Sequence, residues 1–265
     1  MTRRVLEVVQ AGVVPYVEAL EWQRALAQAR IERQVPHDLL LLLEHPPVVT
    51  LGRNSHRAHV LRPDGEAGRV EVFEVERGGD VTFHGPGQLV GYPILDLTGH
   101  RQDLHWYLRT LEQALIEALA ALGVPAERKP GYTGVWTRGG TRKIASIGIH
   151  VKQWVTWHGF ALNVTTDLSY FDRIVPCGIP GVVMTSVRRE TGNGTRDTEL
   201  WTETVGALLL GFLAAPVHRL AGLWGLPVWG LASLALGVTG ARWAIRGSRP
   251  HPLAPSPHGG EGERE

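Results

Sequence analysis

The sequence predicts an α+β domain, a mixed sheet with flanking helices. Three observations carry that expectation: strand-like stretches come in runs, helical stretches stand between and at the ends of those runs, and the clearest helical stripe needs a sheet to lie on. From Pro15 to Gln34, Tyr16, Leu20, Ala27 and Ile31 recur at helical spacing among charged residues, which reads as a surface helix opened by proline. Asp38 to Glu44 is a short apolar run and reads as a buried strand. It ends at His45-Pro46-Pro47, and Val48 to Leu51 follows with Gly52, the prolines barring a central-strand interior.

Val70 to Glu76 alternates as a strand and runs into the glycine-rich stretch from Arg77 to Gln88. Gln88 to Leu97 reads as another strand. About Gln102 to Leu122 is the clearest helix, with Leu104, Leu108, Leu111, Leu115, Leu119 and Leu122 three or four apart. Val135 to Arg138, Gly139-Gly140 and Thr141 to Val151 read as a hairpin, the glycine pair supplying the positive φ angles of a two-residue turn. Trp154 to Thr165 extends the sheet, and a helix is expected at about 198–213.

Composition narrows the functional classes. The chain has 265 residues, 43% of them hydrophobic and 20% charged, enough for one large domain, or one domain and an appendage. Lys+Arg 27 against Asp+Glu 26 leaves +1, so no global field would hold a nucleic acid or an anionic membrane, and charge-based recognition is local. Glycine at 32 residues and proline at 17 exceed their usual shares of about 7% and 5%, which implies tight turns and backbone-lined sites. The single cysteine excludes an intrachain disulfide and any Cys-cluster metal site. Glu7 and Gln10 interrupt the apolar run at the start, unlike a secretory signal, so the expected location is the cytoplasm.

Residues 220–241 carry no formal charge and are long enough to cross a bilayer. Pro227 and repeated glycines lower helix propensity there, and Arg242, Arg246 and Arg249 favour keeping the C-terminus inside, which a single span from a cytoplasmic domain forbids. A single span, a re-entrant or peripheral membrane contact, and a non-membrane appendage stay open.

The lone cysteine, Cys177, is framed by Pro176, Gly178, Pro180 and Gly181. A lone cysteine in an apolar neighbourhood is usually a small buried hydrophobe. Here the frame makes a rigid turn whose backbone can approach a ligand, the kind of loop on which nucleophiles sit. Only the thiolate attacks, and a free thiol titrates at about 8.5, so a nearby cation is needed. There are three lysines, Lys129, Lys143 and Lys152. Lys143 opens the strand to His150, where alternation puts it on one face with Ala145, Ile147 and Ile149, and puts Ser146, Gly148 and His150 on the other. Such a lysine usually snorkels to solvent. Pointed instead at Cys177, it would lower the thiol pKa and, unlike arginine, accept and return a proton.

Arg77 to Gln88 has the composition of a backbone-lined cradle for a carbonyl, oxyanion or phosphate. It lacks the Gly-Lys-Ser/Thr ending of a P-loop and the spacing of a dinucleotide fingerprint. His84 reads as ligand, base or hydrogen-bonded wall, most often the last. His45, His150 and His158 have no metal-ligand spacing, so no metal is expected.

Glu44-His-Pro-Pro47 with Thr50-Leu-Gly52, the Arg77 to Gln88 stretch, Lys143-Ile-Ala-Ser-Ile-Gly148, His158-Gly-Phe-Ala-Leu-Asn163 and Pro176-Cys-Gly178, in this order, resemble the lipoyl(octanoyl) transferases of lipoate biosynthesis. The resemblance covers about residues 6–213. It implies the fold of biotin and lipoate protein ligases, and transfer of an octanoyl chain from acyl carrier protein to a lysine on lipoyl domains of 2-oxoacid dehydrogenases or on the glycine-cleavage H protein, without a cofactor. By the same resemblance Cys177 is the acyl-thioester nucleophile and Lys143 lowers its pKa and moves the proton. The implied substrate-binding residues are Arg77, Gly78, Gly79, Asp80, Val81, Thr82, Phe83 and His84, then Ser146, Ile147 and Gly148, then Gly159, Phe160 and Ala161. Phe83 departs from the tyrosine common in the family. The implied division is an octanoyltransferase domain over 1–213, a hydrophobic extension over 214–249, with possible membrane contact through 220–241, and a disordered tail over 250–265.

Two further expectations concern the surroundings of the site. Ile147 and Ile149 would line the acyl slot, and Arg138, Arg142 and Arg173 would form either a basic rim for acidic protein partners or a solvated arginine surface. The competing readings are an ATP-dependent lipoate or biotin ligase on the same scaffold, which needs no cysteine, and a non-catalytic, membrane-associated acyl-binding scaffold.

Overall fold

In chain order the elements are β1 (Leu6–Val13), α1 (Tyr16–Ile31), β2 (Asp38–Glu44), β3 (Val48–Leu51), β4 (Asp64–Gly65), β5 (Gly68–Arg69), β6 (Glu71–Glu74), β7 (Val81–His84), β8 (Gln88–Ile94), α2 (Leu104–Ala121), β9 (Val135–Thr137), β10 (Arg142–Lys152), β11 (Val155–Asn163), β12 (Val183–Met184) and α3 (Val187–Thr191). Short 3-10 turns fall at Leu168–Arg173 and Pro176–Gly178, among others. The computed structural model describes residues 6–192 apart from 62–63 and 66–67. The expected helix at 198–213, the extension, the 220–241 segment and the tail lie outside the described residues, as does the end of the 1–213 domain. Among the described residues no helix is long and apolar enough to cross a membrane.

The leucine run of β2 fixes the centre of the molecule. Leucines on both sides of a strand demand cover on both faces, and two helices provide it. Leu40 and Leu42 pack with Tyr107, Leu111, Leu115 and Leu119 of α2. Leu39, Leu41 and Leu43 pack with Ala19, Trp22 and Ala27 of α1. Each such leucine contributes roughly 1.5–3 kcal/mol on burial. The sheet runs β1-β2-β8-β11-β10-β12, with β9 also on β10. β1 lies parallel to β2 and β12 parallel to β10, while the β2–β8, β8–β11 and β11–β10 pairs are antiparallel. The mixed sheet with flanking helices is the expected architecture.

Four details depart from the sequence reading. Helix α1 is not merely a surface helix, because Gln23 is fully buried, its amide donating to the Ala19 carbonyl and its oxygen accepting from the His158 N–H. The seam of α2 runs through Tyr107, Ala114 and Ala118 as well as the leucines, and Leu104 in its first turn stays 40% exposed. The hairpin loop is longer than two residues: Thr137 pairs with Arg142, and Arg138, Gly139 and Gly140 all take positive φ. The glycine-rich stretch is only partly open loop, since Val81–His84 is a fully buried strand. It pairs antiparallel with β3, whose other neighbour is the parallel β6. This small sheet has its own core of Val49, Leu51, Val81, Phe83, Phe171 and Ile174. The core joins the Arg77–His84 stretch to the segment leading to Cys177.

Candidate active site

A bulge brings Lys143 to Cys177. On β9, Trp136 and Val135 are consecutive, whereas their partners on β10 are Lys143 and Ala145, so β10 carries one extra residue. Ile144 and Ala145 both enter the core under α2. Strict alternation would keep Lys143 on the face of Ala145; the extra residue shifts it to the face of Ser146 instead. The structure thus corrects the face assignment: Lys143 Nζ donates to Cys177 Sγ at 3.0 Å, and Ser146 Oγ lies 3.7 Å from the same sulfur. Lys143 is only 2% exposed, its ammonium 5.5 Å from the Trp136 ring centroid. A Cβ on Gly134 (φ +119) would lie 2.7 Å from Lys143 Cε, so the missing side chain leaves room for the lysine.

Cys177 sits in the left-handed region, φ 57, a conformation non-glycine residues hold only where the surroundings impose it. The surroundings are visible. His59 accepts at its carbonyl from the Val175 N–H, and its ring Nδ1 lies 2.7 Å from Asp80 Oδ2. Asp80 in turn fills the space a Cβ on Gly178 would occupy. Burial pushes the thiol pKa up, but the Lys143 charge and hydrogen bond, the Ser146 hydroxyl and the Arg77 charge together bring it below its ordinary value. Arg77 is itself buried and tied to the Thr50 hydroxyl and carbonyl.

A cavity of about 320 Å³ opens beside the sulfur, within the range of small-ligand pockets. Arg77, Gly79, Asp80, Val81, Thr82 and His84 line it from the small sheet and the loop before it; Lys143, Ser146, Ile147 and Gly148 line it from β10; Gly159, Phe160 and Ala161 line it from β11; and Cys177 lines it from its turn. Three residues singled out from the sequence do not. Gly78 donates its N–H to the Ile149 carbonyl. Phe83 points into the small-sheet core, stacked on Tyr170 at 4.5 Å and edge-on to Phe171, so the departure from tyrosine falls away from the cavity. Ile149 packs at the core beneath α2 rather than in the slot.

The amides of the glycine-rich stretch are less open than its composition implies, because Gly87 N–H donates to Glu44. That bond gives the Glu44-His-Pro-Pro47 motif a physical task. The expected basic rim is also reduced, since Arg138 and Arg142 both pair with Glu190. Arg173 lies over the Tyr170 ring. Sequence reasoning missed Tyr16, Tyr92, Tyr132 and Ile179 as cavity residues. Tyr16 was visible only as an apolar position on a helix, and nothing in its spacing separated wall from core.

A family profile described as the lipoyl protein ligase A/B catalytic domain matches residues 15–208. An octanoyltransferase of Gloeobacter violaceus is 61% identical over 171 residues, 64% of this chain and 75% of that protein. An octanoyltransferase of Nostoc punctiforme is 54% identical over 168 residues, 63% of this chain and 72% of that one. Among solved structures, a lipoate-protein ligase A crystallised with ATP superposes with a TM-score of 0.63 at 14% identity, over 92% of this chain and 97% of that one, a likeness of fold. Sequence similarity to octanoyltransferases accordingly separates this chain from the ligases whose fold it shares: it belongs to the lipoyl protein ligase A/B catalytic-domain family and, within it, to the octanoyltransferases of lipoate biosynthesis.

Proposed function

We propose that the octanoyl group passes through a thioester on Cys177, with Lys143 as the proton carrier. The observation that carries this is the 3.0 Å contact between Lys143 Nζ and Cys177 Sγ at the wall of a cavity of about 320 Å³. In the first step the Cys177 thiolate attacks the carbonyl of an octanoyl thioester on acyl carrier protein; the S–C bond to Cys177 forms, the carrier's S–C bond breaks, and the carrier thiolate leaves and takes a proton. Lys143 is placed to supply that proton, and Lys143 and Arg77 favour the anionic sulfur beforehand.

In the second step a lysine of a lipoyl domain, or of the glycine-cleavage H protein, attacks the enzyme thioester as a neutral amine. The amide forms, Cys177 is released as a thiolate, and the proton lost by the amine goes to Lys143. Exchanging a thioester for an amide is downhill, so the route calls for no ATP. Family membership supports a lipoyl-bearing acceptor. The catalytic domain in this reading spans 1–213, and 220–241 remains a candidate membrane contact.

The test is transfer from octanoyl-acyl carrier protein to an isolated lipoyl domain with and without ATP. The expected result is ATP-independent transfer that Cys177→Ala abolishes. ATP-dependent transfer that survives Cys177→Ala would identify a ligase instead.

A further inference from the structure

One buried wall of the cavity is polar in a defined sense. Tyr16, His84 and Tyr92, which line it, are only 5%, 6% and 3% exposed, against 39% for Tyr132. A chain of hydrogen bonds fixes which ring nitrogen of His84 carries its proton. Asn163 Nδ2 donates to the Thr185 carbonyl, so Asn163 Oδ1 is the atom that accepts from Gln88 Nε2. Gln88 therefore turns its oxygen to His84 Nδ1, 2.8 Å away, and Nδ1 must be the donor. Burial holds this imidazole neutral, its pKa well below the ordinary value. Nε2 is then a bare lone pair.

The neighbouring groups add to the same bias. His45 Nδ1 lies 2.7 Å from the Val14 carbonyl, which can only accept, so Nδ1 donates and Nε2 takes the Tyr92 hydroxyl proton at 2.7 Å. Tyr92 thus keeps no donor for the cavity. Among the described residues neither His84 Nε2 nor the Tyr16 hydroxyl has a hydrogen-bond partner, and neither is among the sealed, unpartnered atoms, which are on Trp136, Thr137 and His158. Both residues line the cavity, with their rings stacked at 6.0 Å. A plain alkyl terminus satisfies neither group.

We propose that the Tyr16–His84 wall of the cavity is a polar subsite for a hydrogen-bond donor at the far end of an acyl chain, so that the protein transfers ω-hydroxyacyl groups as well as unsubstituted ones. This rests on the reading that the acyl chain runs from Cys177 into this cavity. The hydroxyl donates to His84 Nε2 and accepts from Tyr16, and takes no part in bond making at the carbonyl. In an apolar slot the same hydroxyl would be buried without partners, a loss of about ten-fold or more in rate.

The experiment follows acylation of Cys177 by intact mass, with acyl-acyl carrier proteins in isosteric pairs: ω-hydroxyhexanoyl against heptanoyl, ω-hydroxyoctanoyl against nonanoyl, ω-hydroxydecanoyl against undecanoyl. Octanoyl serves as the control. For at least one pair the ratio of kcat/KM, hydroxy over alkyl, is expected to be near one or above. Hydroxy chains slower by about ten-fold or more in every pair, with octanoyl still labelling Cys177, would overturn the subsite alone; failure of octanoyl itself would overturn the underlying reading. Within one variant the ratio cancels any general loss of activity, so His84→Leu is expected to lower the best ratio by about ten-fold. Tyr16→Phe, which removes a single oxygen, gives a second reading if His84→Leu does not fold. A ratio unmoved in the variants that fold overturns the assignment.

Discussion

Replacing Lys143 by methionine isolates the charge beside the sulfur from the packing around it. Methionine keeps an unbranched chain in the slot beside Gly134 and Trp136, so what disappears is the ammonium 3.0 Å from Sγ. Two unit charges at that distance interact by about 5 kcal/mol at an effective dielectric of about 20. Burial of the thiolate opposes this, and hydrogen bonds to charged groups contribute about 1.5–3 kcal/mol net. At 1.4 kcal/mol per factor of ten, the acid dissociation constant of the thiol falls about 10- to 150-fold. The sign follows from the cause: the folded protein holds the thiol below its ordinary pKa, so losing the cation moves ionisation to higher pH. Iodoacetamide alkylation followed by intact mass across neutral and alkaline pH reads this directly. A Lys143→Met profile that overlays the wild type, in a protein with unchanged unfolding, refutes the electrostatic role.

Gly134→Ala forces a Cβ to 2.6 Å from the Ala145 carbonyl and 2.7 Å from Lys143 Cε at φ +119, so denaturant unfolding is expected to show a loss of about 2–4 kcal/mol, and alkylation of Cys177 is expected to slow because the ammonium moves. Wild-type alkylation rates in a folded Gly134→Ala would contradict the second part. His45 is pushed down to about 4 by burial, below its unfolded value of about 6.5, so its contribution to stability is full above about pH 6.5 and is lost as pH falls toward 4, on the order of 3 kcal/mol. Urea unfolding at the two ends of that window checks it, with a shallower loss expected in His45→Gln. Glu190 neutralises Arg138 and Arg142, so Glu190→Gln is expected to steepen the fall of the transfer rate with added salt when acidic protein substrates are used; an unchanged salt slope would remove these arginines from partner docking.

The elements that apolar spacing defines were readable in the sequence. The leucines of β2 and α2 announce strand and helix because burial on a sheet has a fixed period, and both lie within two residues of expectation. Strand β7 was hidden because glycines before and after Val81–His84 gave the stretch a loop-like composition, while its buried neighbours on β3 come from a distant part of the chain. Residue types marked Cys177 and Lys143 as a nucleophile and a cation. Their contact depends on the bulge between Lys143 and Ala145, and a bulge is set by pairing with β9 rather than by any local pattern. The same holds for the cavity wall: Tyr16, His84 and Tyr92 belong to α1, β7 and β8, and only the folded chain brings them together.

Passage of the acyl group through Cys177 is read by intact-mass spectrometry of the protein after incubation with octanoyl-acyl carrier protein, before and after hydroxylamine, beside Cys177→Ala. One octanoyl adduct is expected, removed by hydroxylamine and absent from Cys177→Ala. A folded protein that leaves the donor intact and gains no mass, or that carries the adduct equally in Cys177→Ala, would contradict it.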